Sequence, residues 1–258
     1  MLLPTRAICI TIDRSRADRY VRTIRELHRL GYVDAAITTV DGVRGTDLSD
    51  CTLKDVTTAS TYFHIRQGRR TDHTQIDSVG AVGCALSHAL AWRACATYGE
   101  PVLVVEDDVT TPHTRDSLQA LVESAPESFD ILRLSRIMPW FHPATERTDD
   151  ETWEAGGVTV STAMYIVTPR AARVLMKYVQ PIDTHVDMYM SMVAKKYGLT
   201  EYTVRKSVVE ECDAQSTIQH TEPQPMATAA QRAQQGTSLF FVLVITLSVL
   251  AVAVILTY

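Results

Sequence analysis

Short apolar runs that end in polar or acidic residues recur along most of the chain. AICITI, residues 7–12, is followed by DRSRADR, and VLVV, residues 102–105, leads directly into three acidic residues. Short apolar runs rich in β-branched residues predict buried strands. AAITTVDG, FDILRLS and the beginning of VSTAMYIVTPRAARVLMKYV have the same character. The pattern therefore predicts several strands, with polar side chains placed where each strand ends.

Segments with helical spacing separate these runs. RADRYVRTIRELHRLGY repeats its apolar residues every three or four positions and stops at Gly31, and residues 80–98 and DSLQALVESAP also favour helices. A last helix is expected to begin near Pro169, since proline is favoured in the first helical turn. The polar region 43–77 has no clear period and predicts a long loop with room for one short helix.

The alternation of strands and helices predicts an α/β fold with a mostly parallel central sheet and helices on its faces. Ligands of such sheets bind at the carboxyl ends of the strands. Asp13 and Asp41 follow the first two predicted strands, and the acidic residues 106–108 follow the third. All of them should therefore lie at one edge of the sheet.

The most apolar segment of the sequence is LFFVLVITLSVLAVAVILTY, residues 239–258. A helix of that length would measure about 30 Å, the thickness of a bilayer's hydrocarbon core. No comparable apolar run lies near residue 1, so we expect a single-pass C-terminal tail anchor with the catalytic domain in the cytosol. Residues 221–237, rich in Pro, Gln, Ala and Thr, predict a flexible tether. The expected domains are thus 1–220, 221–237 and 238–258.

Charge and cysteine content limit the classes of partner, site and compartment that fit the chain. The 258-residue chain has a net charge of −5 and no basic stripe with interleaved aromatic residues, which argues against nucleic acid as a partner. Its five cysteines form no Cys-x-x-Cys pair, which argues against a disulfide framework or a zinc site and favours a reducing compartment. The sequence contains no asparagine and hence no N-glycosylation site, consistent with a cytosolic location.

The three adjacent carboxylates of Glu106, Asp107 and Asp108 carry the clearest chemistry. Like charges this close oppose one another's ionisation when partly buried, so a cation is expected among them. Oxygen ligands favour Mg²⁺ or Mn²⁺, which commonly leave coordination positions for phosphate oxygens. A helix cap or a solvated turn is the alternative interpretation of such a cluster.

The segment GAVGCALSHALAWRACATYGEPVLVVEDDV resembles the signature of glycosyltransferase family 25, which includes lipopolysaccharide and procollagen galactosyltransferases. In that family a Gly-Cys-x-x-Ser-His-x-x-x-Trp helix precedes an apolar strand that ends in Glu-Asp-Asp-Val, and both elements occur here in register. ITIDRSRADR, TTVDG, STAMYIVTPRAARVLM and the Pro181–Asp183 tripeptide are similar to further family elements. The resemblance covers residues 7 to about 218.

This resemblance implies a GT-A fold, a UDP-sugar donor, Mn²⁺ or Mg²⁺ and an inverting transfer. Asp108 would be the main metal ligand, and Glu106 would bind the metal directly, act through water or contact the ribose. Further nucleotide contacts are expected from residues near the strand ends and on the following helices: Asp13, Arg19, Asp41, Ser87, His88 and Asp107. For Arg19, a solvated helix charge is an equally good interpretation. For His88, a buried histidine that binds a neighbouring loop is the simpler one.

An inverting transfer also needs a base for the acceptor hydroxyl. Asp183 corresponds to the family's late aspartate and is the first choice. Asp187 is its rival, because a helical PIDTHVDMYM would place both on one face.

Two questions stay open at this level. The family's usual donor is UDP-galactose, but glucose differs at a single hydroxyl, and the acceptor could be a glycan, a lipid or a protein. The function alternative is a membrane-anchored binding module that keeps the fold without turnover. A phosphotransferase of the haloacid dehalogenase type is set aside, because Ser15 stands where a second aspartate would follow Asp13.

Overall fold

The computed structural model of the chain describes residues 2–70, 74–126, 128–136, 152–157 and 160–211. The strands in this part of the chain are β1 (Arg6–Thr11), β2 (Ile37–Asp41), β3 (Val102–Glu106), β4 (Val109–Thr110), β5 (Ile131–Arg133), β6 (Trp153–Ala155), β7 (Met164–Val167), β8 (Glu201–Val204) and β9 (Glu210–Glu211). Its α-helices are α1 (Arg22–Arg29), α2 (Asp50–Val56), α3 (Ala59–Gln67), α4 (Val79–Tyr98), α5 (Arg115–Glu123), α6 (Pro169–Tyr178) and α7 (Val186–Tyr197). The α/β fold expected from the sequence is confirmed.

Seven of these strands form one sheet in the order β2-β1-β3-β7-β5-β8-β6, while β4 and β9 pair separately. β2, β1 and β3 are parallel to one another, and β5 is parallel to β8. β7 runs antiparallel to both β3 and β5, and β6 runs antiparallel to β8. The sheet is therefore mixed, and the expectation of a mostly parallel ladder is wrong at these three pairings.

Alternating side chains of the central strands enter two separate cores, one on each face of the sheet. In β3, Val102 and Val104 pack with residues of α4, α6 and α7, whereas Leu103 and Val105 pack with residues of α1 and α5. β-Strand side chains alternate between faces, so a strand that is apolar at every position must be covered on both sides. The uniformly apolar VLVV run thus reflects a central strand.

Helix α4 crosses one face of the sheet next to the candidate site. The Ser78 side chain accepts a hydrogen bond from the backbone of Ala81 at its beginning, and Gly99 ends it with φ 72°, a left-handed conformation that glycine adopts without strain. By length and composition α4 is the one helix in the described ranges that could cross a membrane. Half of its most apolar window is buried inside the domain, as in a core helix.

Three further expectations about elements need correction. The region 43–77 contains two helices, α2 and α3, rather than one short helix. The Ser49 and Thr58 side chains cap the N-termini of these helices, each accepting a hydrogen bond from the backbone N–H three residues later. Serine and threonine are preferred N-cap residues, so the sequence did indicate both helices. Helix α7 begins at Val186, so Asp183 precedes it and does not share a helical face with Asp187. The predicted tether and the apolar segment 239–258 lie outside the described residues.

Candidate active site

The carboxyl ends of β1, β2 and β3 meet at one edge of the sheet. The strand register sets Ile10 opposite Glu106 and Thr11 opposite Asp41. This arrangement follows from parallel pairing, since strands that run in the same direction end at the same edge. The predicted convergence of these strand ends is confirmed.

A buried arginine lies among the adjacent carboxylates. Arg19, on a π-helical turn at Ala17–Val21, donates from Nε to Oδ1 of Asp107 at 2.9 Å and from Nη2 to Oδ2 of Asp108 at 2.8 Å. Thr11 Oγ1 donates to the other Asp107 oxygen at 2.5 Å. We call these four residues, Thr11, Arg19, Asp107 and Asp108, the Arg19 cluster. One guanidinium thus faces two carboxylates, and the cluster keeps a net negative charge.

Glu106 has its own contacts, with residues outside the Arg19 cluster. Thr162 Oγ1 donates to Glu106 Oε1 at 2.6 Å, and His88 Nε2 lies 3.4 Å from the same oxygen. Burial raises the pKa of this carboxyl most strongly, but the contacts with His88 and Thr162 and the charge of Arg19 outweigh it and hold the pKa below the ordinary 4.5. Glu106 is therefore ionised at neutral pH.

His88, which lies beside Glu106, is attached to the core through hydrogen bonds. The Trp92 indole N–H donates to the Tyr165 hydroxyl at 2.9 Å, and that hydroxyl lies 3.0 Å from His88 Nδ1. Since the hydroxyl already accepts from Trp92, its proton is assigned to Nδ1, which leaves the imidazole proton on Nε2 facing Glu106. His88 Nε2 is buried and makes no hydrogen bond, so its 3.4 Å approach to Glu106 is an electrostatic contact.

Asp187 approaches the same region from the first turn of α7. The backbone N–H of Ser161 donates to its Oδ2 at 3.2 Å, and the N–H of Met188 donates to its Oδ1 at 2.7 Å. Burial, followed by the negative charges of Glu106, Asp187 and Asp108, raises the pKa of the Cys84 thiol well above its ordinary value. Adjacent residues, Ser161 and Thr162, thus bind Asp187 and Glu106, and the Cys84 thiol stays protonated and unreactive.

The other predicted contacts are distributed around this edge. Asp183 is exposed and precedes α7. Asp13 accepts from the backbone and the hydroxyl of Ser15, and these bonds lower its pKa. Asp41 forms an exposed ion pair with Arg14 at 2.6 Å.

Ser87 is buried within α4 and connects that helix to the loop after β2. Its hydroxyl donates to the Gly83 carbonyl at 2.7 Å and accepts from the Val43 N–H at 2.8 Å. Gly83 permits this close approach, because a Cβ there would lie 2.4 Å from the Val43 carbonyl oxygen. Nucleotide contacts by Asp13, Asp41 and Ser87 stay predictions.

The residues at the edge offer a partial set of metal ligands. Within the described ranges no three His, Cys, Asp or Glu side chains are placed to hold a metal ion. The Glu106 and Asp108 side chains are both about one fifth exposed, at 22% and 21%, and both present oxygen atoms. Two carboxylates suit a divalent cation that takes its remaining ligands from water or a substrate phosphate.

Sequence reasoning missed several residues of this region. Thr162 and Ser161 lie just before β7, whose antiparallel pairing with β3 brings Thr162 to Glu106, while Ser161 binds Asp187. Arg133, which donates to the backbone carbonyl of Asp187 at 2.8 Å, is the last residue of β5. The one signal was its position, a charged residue within the apolar run FDILRLS.

Comparison with known families identifies the family of the chain. The model of glycosyltransferase family 25, described as a lipopolysaccharide biosynthesis protein family, matches residues 14–190. The matched range contains Glu106, His88, Asp187 and all residues of the Arg19 cluster except Thr11. No individual curated protein matches the chain. Because the family model spans more than half of the sequence, the chain belongs to glycosyltransferase family 25 and is a glycosyltransferase.

Proposed function

We propose that the chain transfers a hexose, with galactose as the first candidate, from a UDP-sugar to a hydroxyl group of a glycan, lipid or protein, with inversion and with a divalent metal. The observation that carries the proposal is that adjacent residues, Thr162 and Ser161, bind the Glu106 and Asp187 carboxylates at the carboxyl end of β3, two residues before Asp108. The mixed sheet and its parallel β2-β1-β3 part are compatible with a GT-A type domain.

The donor would bind beside the Arg19 cluster. Glu106 and Asp108 would hold Mn²⁺ or Mg²⁺, and the metal would supply charge neutralisation for the diphosphate of UDP. Arg19 fixes Asp107 and one oxygen of Asp108, so the direction of the Asp108 carboxylate is set before the donor arrives. Thr162 fixes Glu106 by a hydrogen bond, and His88 adds an electrostatic contact with the same oxygen. Preorganised ligands of this kind reduce the reorganisation that binding requires.

The acceptor would bind on the α7 side. Its hydroxyl oxygen forms the new bond to the anomeric carbon, the bond from that carbon to the UDP oxygen breaks, and the hydroxyl proton passes to a carboxylate. Asp187 is the proposed base, because two backbone N–H groups orient its carboxylate near the other acidic residues. Asp183 is the alternative base; it is exposed and lies four residues earlier.

The location of the enzyme is a further part of the proposal. The apolar segment 239–258 is proposed to anchor the domain through the tether 221–237, with the domain on the cytosolic side. An acceptor on a lipid or a glycan at a membrane surface would then be within reach of the site.

A panel of UDP-sugars tests the function directly. The purified chain is incubated with each donor, with and without Mn²⁺, and released UDP is measured without acceptor and with simple glycosides. Release from one donor, dependent on the metal and increased by an acceptor, is expected. If the chain binds UDP but releases none from any donor, the non-catalytic binding module is the correct function. An Asp108→Asn variant that keeps its metal-dependent UDP affinity would contradict the assigned metal ligand.

A further inference from the structure

Arg133 is the most completely buried charged residue beside the site. It lies on β5 with 0% of its side chain exposed, and its Nε donates to Glu201 Oε1 at 2.8 Å. Nη1 donates to the backbone carbonyl of Ser161 at 3.0 Å, and Nη2 donates to the backbone carbonyl of Asp187 at 2.8 Å. We call these four residues and Ser191, which also contacts Glu201, the Arg133 cluster.

Stability alone gives little reason for an ion pair at this position. Two charges lose their hydration on burial, and apolar residues of similar volume often serve equally well or better. What an apolar pair cannot provide is two donors aimed at two carbonyl groups. The distinguishing contribution of Arg133 is thus the fixed separation of the Ser161 and Asp187 backbones.

Ser161 has the conformation that such a restraint would maintain. Its φ of 114° is the one positive value recorded for a non-glycine residue of the described chain. Its carbonyl accepts from Arg133, its N–H donates to the Asp187 carboxylate, and its hydroxyl donates to Ser135 at 2.9 Å. Strained residues of this kind persist where the surroundings determine them, and they concentrate at functional sites.

We propose that Arg133 is a positioning residue that holds the Asp187 carboxylate in place for proton transfer. It fixes Asp187 twice, directly through the Asp187 carbonyl and indirectly through Ser161, whose N–H binds the carboxylate. Neither contact requires Arg133 to reach the substrate. This inference rests on the proposed function, in which Asp187 takes the acceptor proton.

Two variants separate positioning from stability. Arg133→Met combined with Glu201→Leu replaces the ion pair by apolar groups and avoids an unpaired buried charge. Arg133→Lys keeps one bond to Glu201 and loses the fork that reaches both carbonyls. We expect both variants to remain folded, to keep KM for the donor near the parental value and to lose about tenfold to 100-fold in kcat, since small displacements of a reacting group have effects of that size.

Arg170 offers a matched control. It also pairs with a carboxylate, Asp130, and donates to a carbonyl, that of Gly198 at 3.2 Å, but on the exposed side of α6. Arg170→Lys should leave kcat unchanged. Parental kcat in either folded Arg133 variant would overturn the proposal. If the double variant does not fold, Arg133→Lys alone decides between the two outcomes.

A second readout needs no turnover. The amides of Ser161 and Met188 donate to the Asp187 carboxylate, so their hydrogen exchange reports whether it is held. We expect faster exchange at both amides in Arg133→Lys, with the exchange of the β3 amides unchanged. Equal protection in the variant and the parent would refute positioning even in an active enzyme. Absence of UDP release by the parent chain would instead refute the proposed function, whatever the exchange data show.

Discussion

Two buried arginines stand beside the same sheet edge and have different tasks. In the Arg19 cluster the guanidinium donates to the carboxylates of Asp107 and Asp108. In the Arg133 cluster it donates to one carboxylate, Glu201, and to two backbone carbonyls. Arg19 therefore balances charge, whereas Arg133 mainly fixes the backbone.

Charge count explains what each cluster can accept. Within the Arg133 cluster, Arg133 and Glu201 neutralise each other, and the remaining carboxylate, that of Asp187, accepts hydrogen bonds from two backbone N–H groups. Arg19 faces two carboxylates, and Glu106 adds a third nearby, so negative charge remains on that side. An excess of carboxylate at a partly exposed edge suits a divalent cation, whereas a neutral buried pair suits a rigid support.

The largest expected effect concerns the group that the Arg133 cluster supports. Asp187→Asn keeps the size of the side chain but removes its basic oxygen, so turnover should fall on the order of 10²-fold to 10⁴-fold. The UDP affinity should stay near the parental value, because Glu106 and Asp108, rather than Asp187, are the proposed contacts of the donor and its metal. Transfer rates and UDP calorimetry measure the two effects. Asp183→Asn is the parallel variant, and a loss confined to it would identify Asp183 as the base.

Removal of the Arg19 guanidinium should have the largest effect on stability. Arg19→Met leaves the nearly buried Asp107 without its cation, and breaking such a pair from one side is expected to lower the free energy of unfolding by about 3 to 5 kcal/mol. Urea unfolding measures the change. Adding Asp107→Asn should recover part of the loss, since the buried charge is then gone. A destabilisation below about 1 kcal/mol would mean that solvent already screens the cluster.

The pH dependence of stability tests the environment of Glu106. Its pKa is lower in the folded chain than the ordinary 4.5, so its ionised form stabilises the fold above that value, and the contribution disappears as the pH falls through the lower, folded pKa. The unfolding free energies of the parent and of Glu106→Gln should thus differ most near neutral pH and converge in acid. Urea titrations between about pH 3 and pH 7 measure the difference. A gap that widens in acid would contradict the assignment.

The smallest effect is expected at the exposed rim of the same edge. Arg14 pairs with Asp41, but the two side chains are 52% and 75% exposed. Water and salt screen such a pair, so Arg14→Gln should leave the urea midpoint unchanged within experimental error. A clear shift would mean that charge at this edge stabilises the fold even outside the Arg19 cluster.

Local patterns in the sequence were sufficient to predict the Arg19 side of the site. β1 and β3 are continuous apolar runs, and the acidic residues follow them directly, so both the strands and the shared edge could be inferred. The cation among the carboxylates could not be identified in this way. Arg19 is separated from Asp107 by 88 positions, so no local pattern indicates their contact. From the sequence, a solvated helix charge was as good an interpretation of Arg19 as a nucleotide contact.

The Arg133 side depends on long-range pairing and was largely missed. FDILRLS alternates apolar and polar residues at its end, which is typical of a strand with one exposed face, yet Arg133 is fully buried. Its burial depends on the antiparallel insertion of β7, which no local period indicates. The short strands β6 and β8 were missed for the same reason.

The position of β7 has a consequence for assembly. β7 lies between β3 and β5, although both precede it in the chain. A chain cut between residues 136 and 152 would leave Glu106 and Asp108 on one fragment and Thr162 and Asp187 on the other. The first fragment would expose the facing edges of β3 and β5 until the second inserted its strand between them. Recovery of transferase activity on mixing such fragments would thus report completion of the whole sheet. Fragments that reassembled only in part would show no activity.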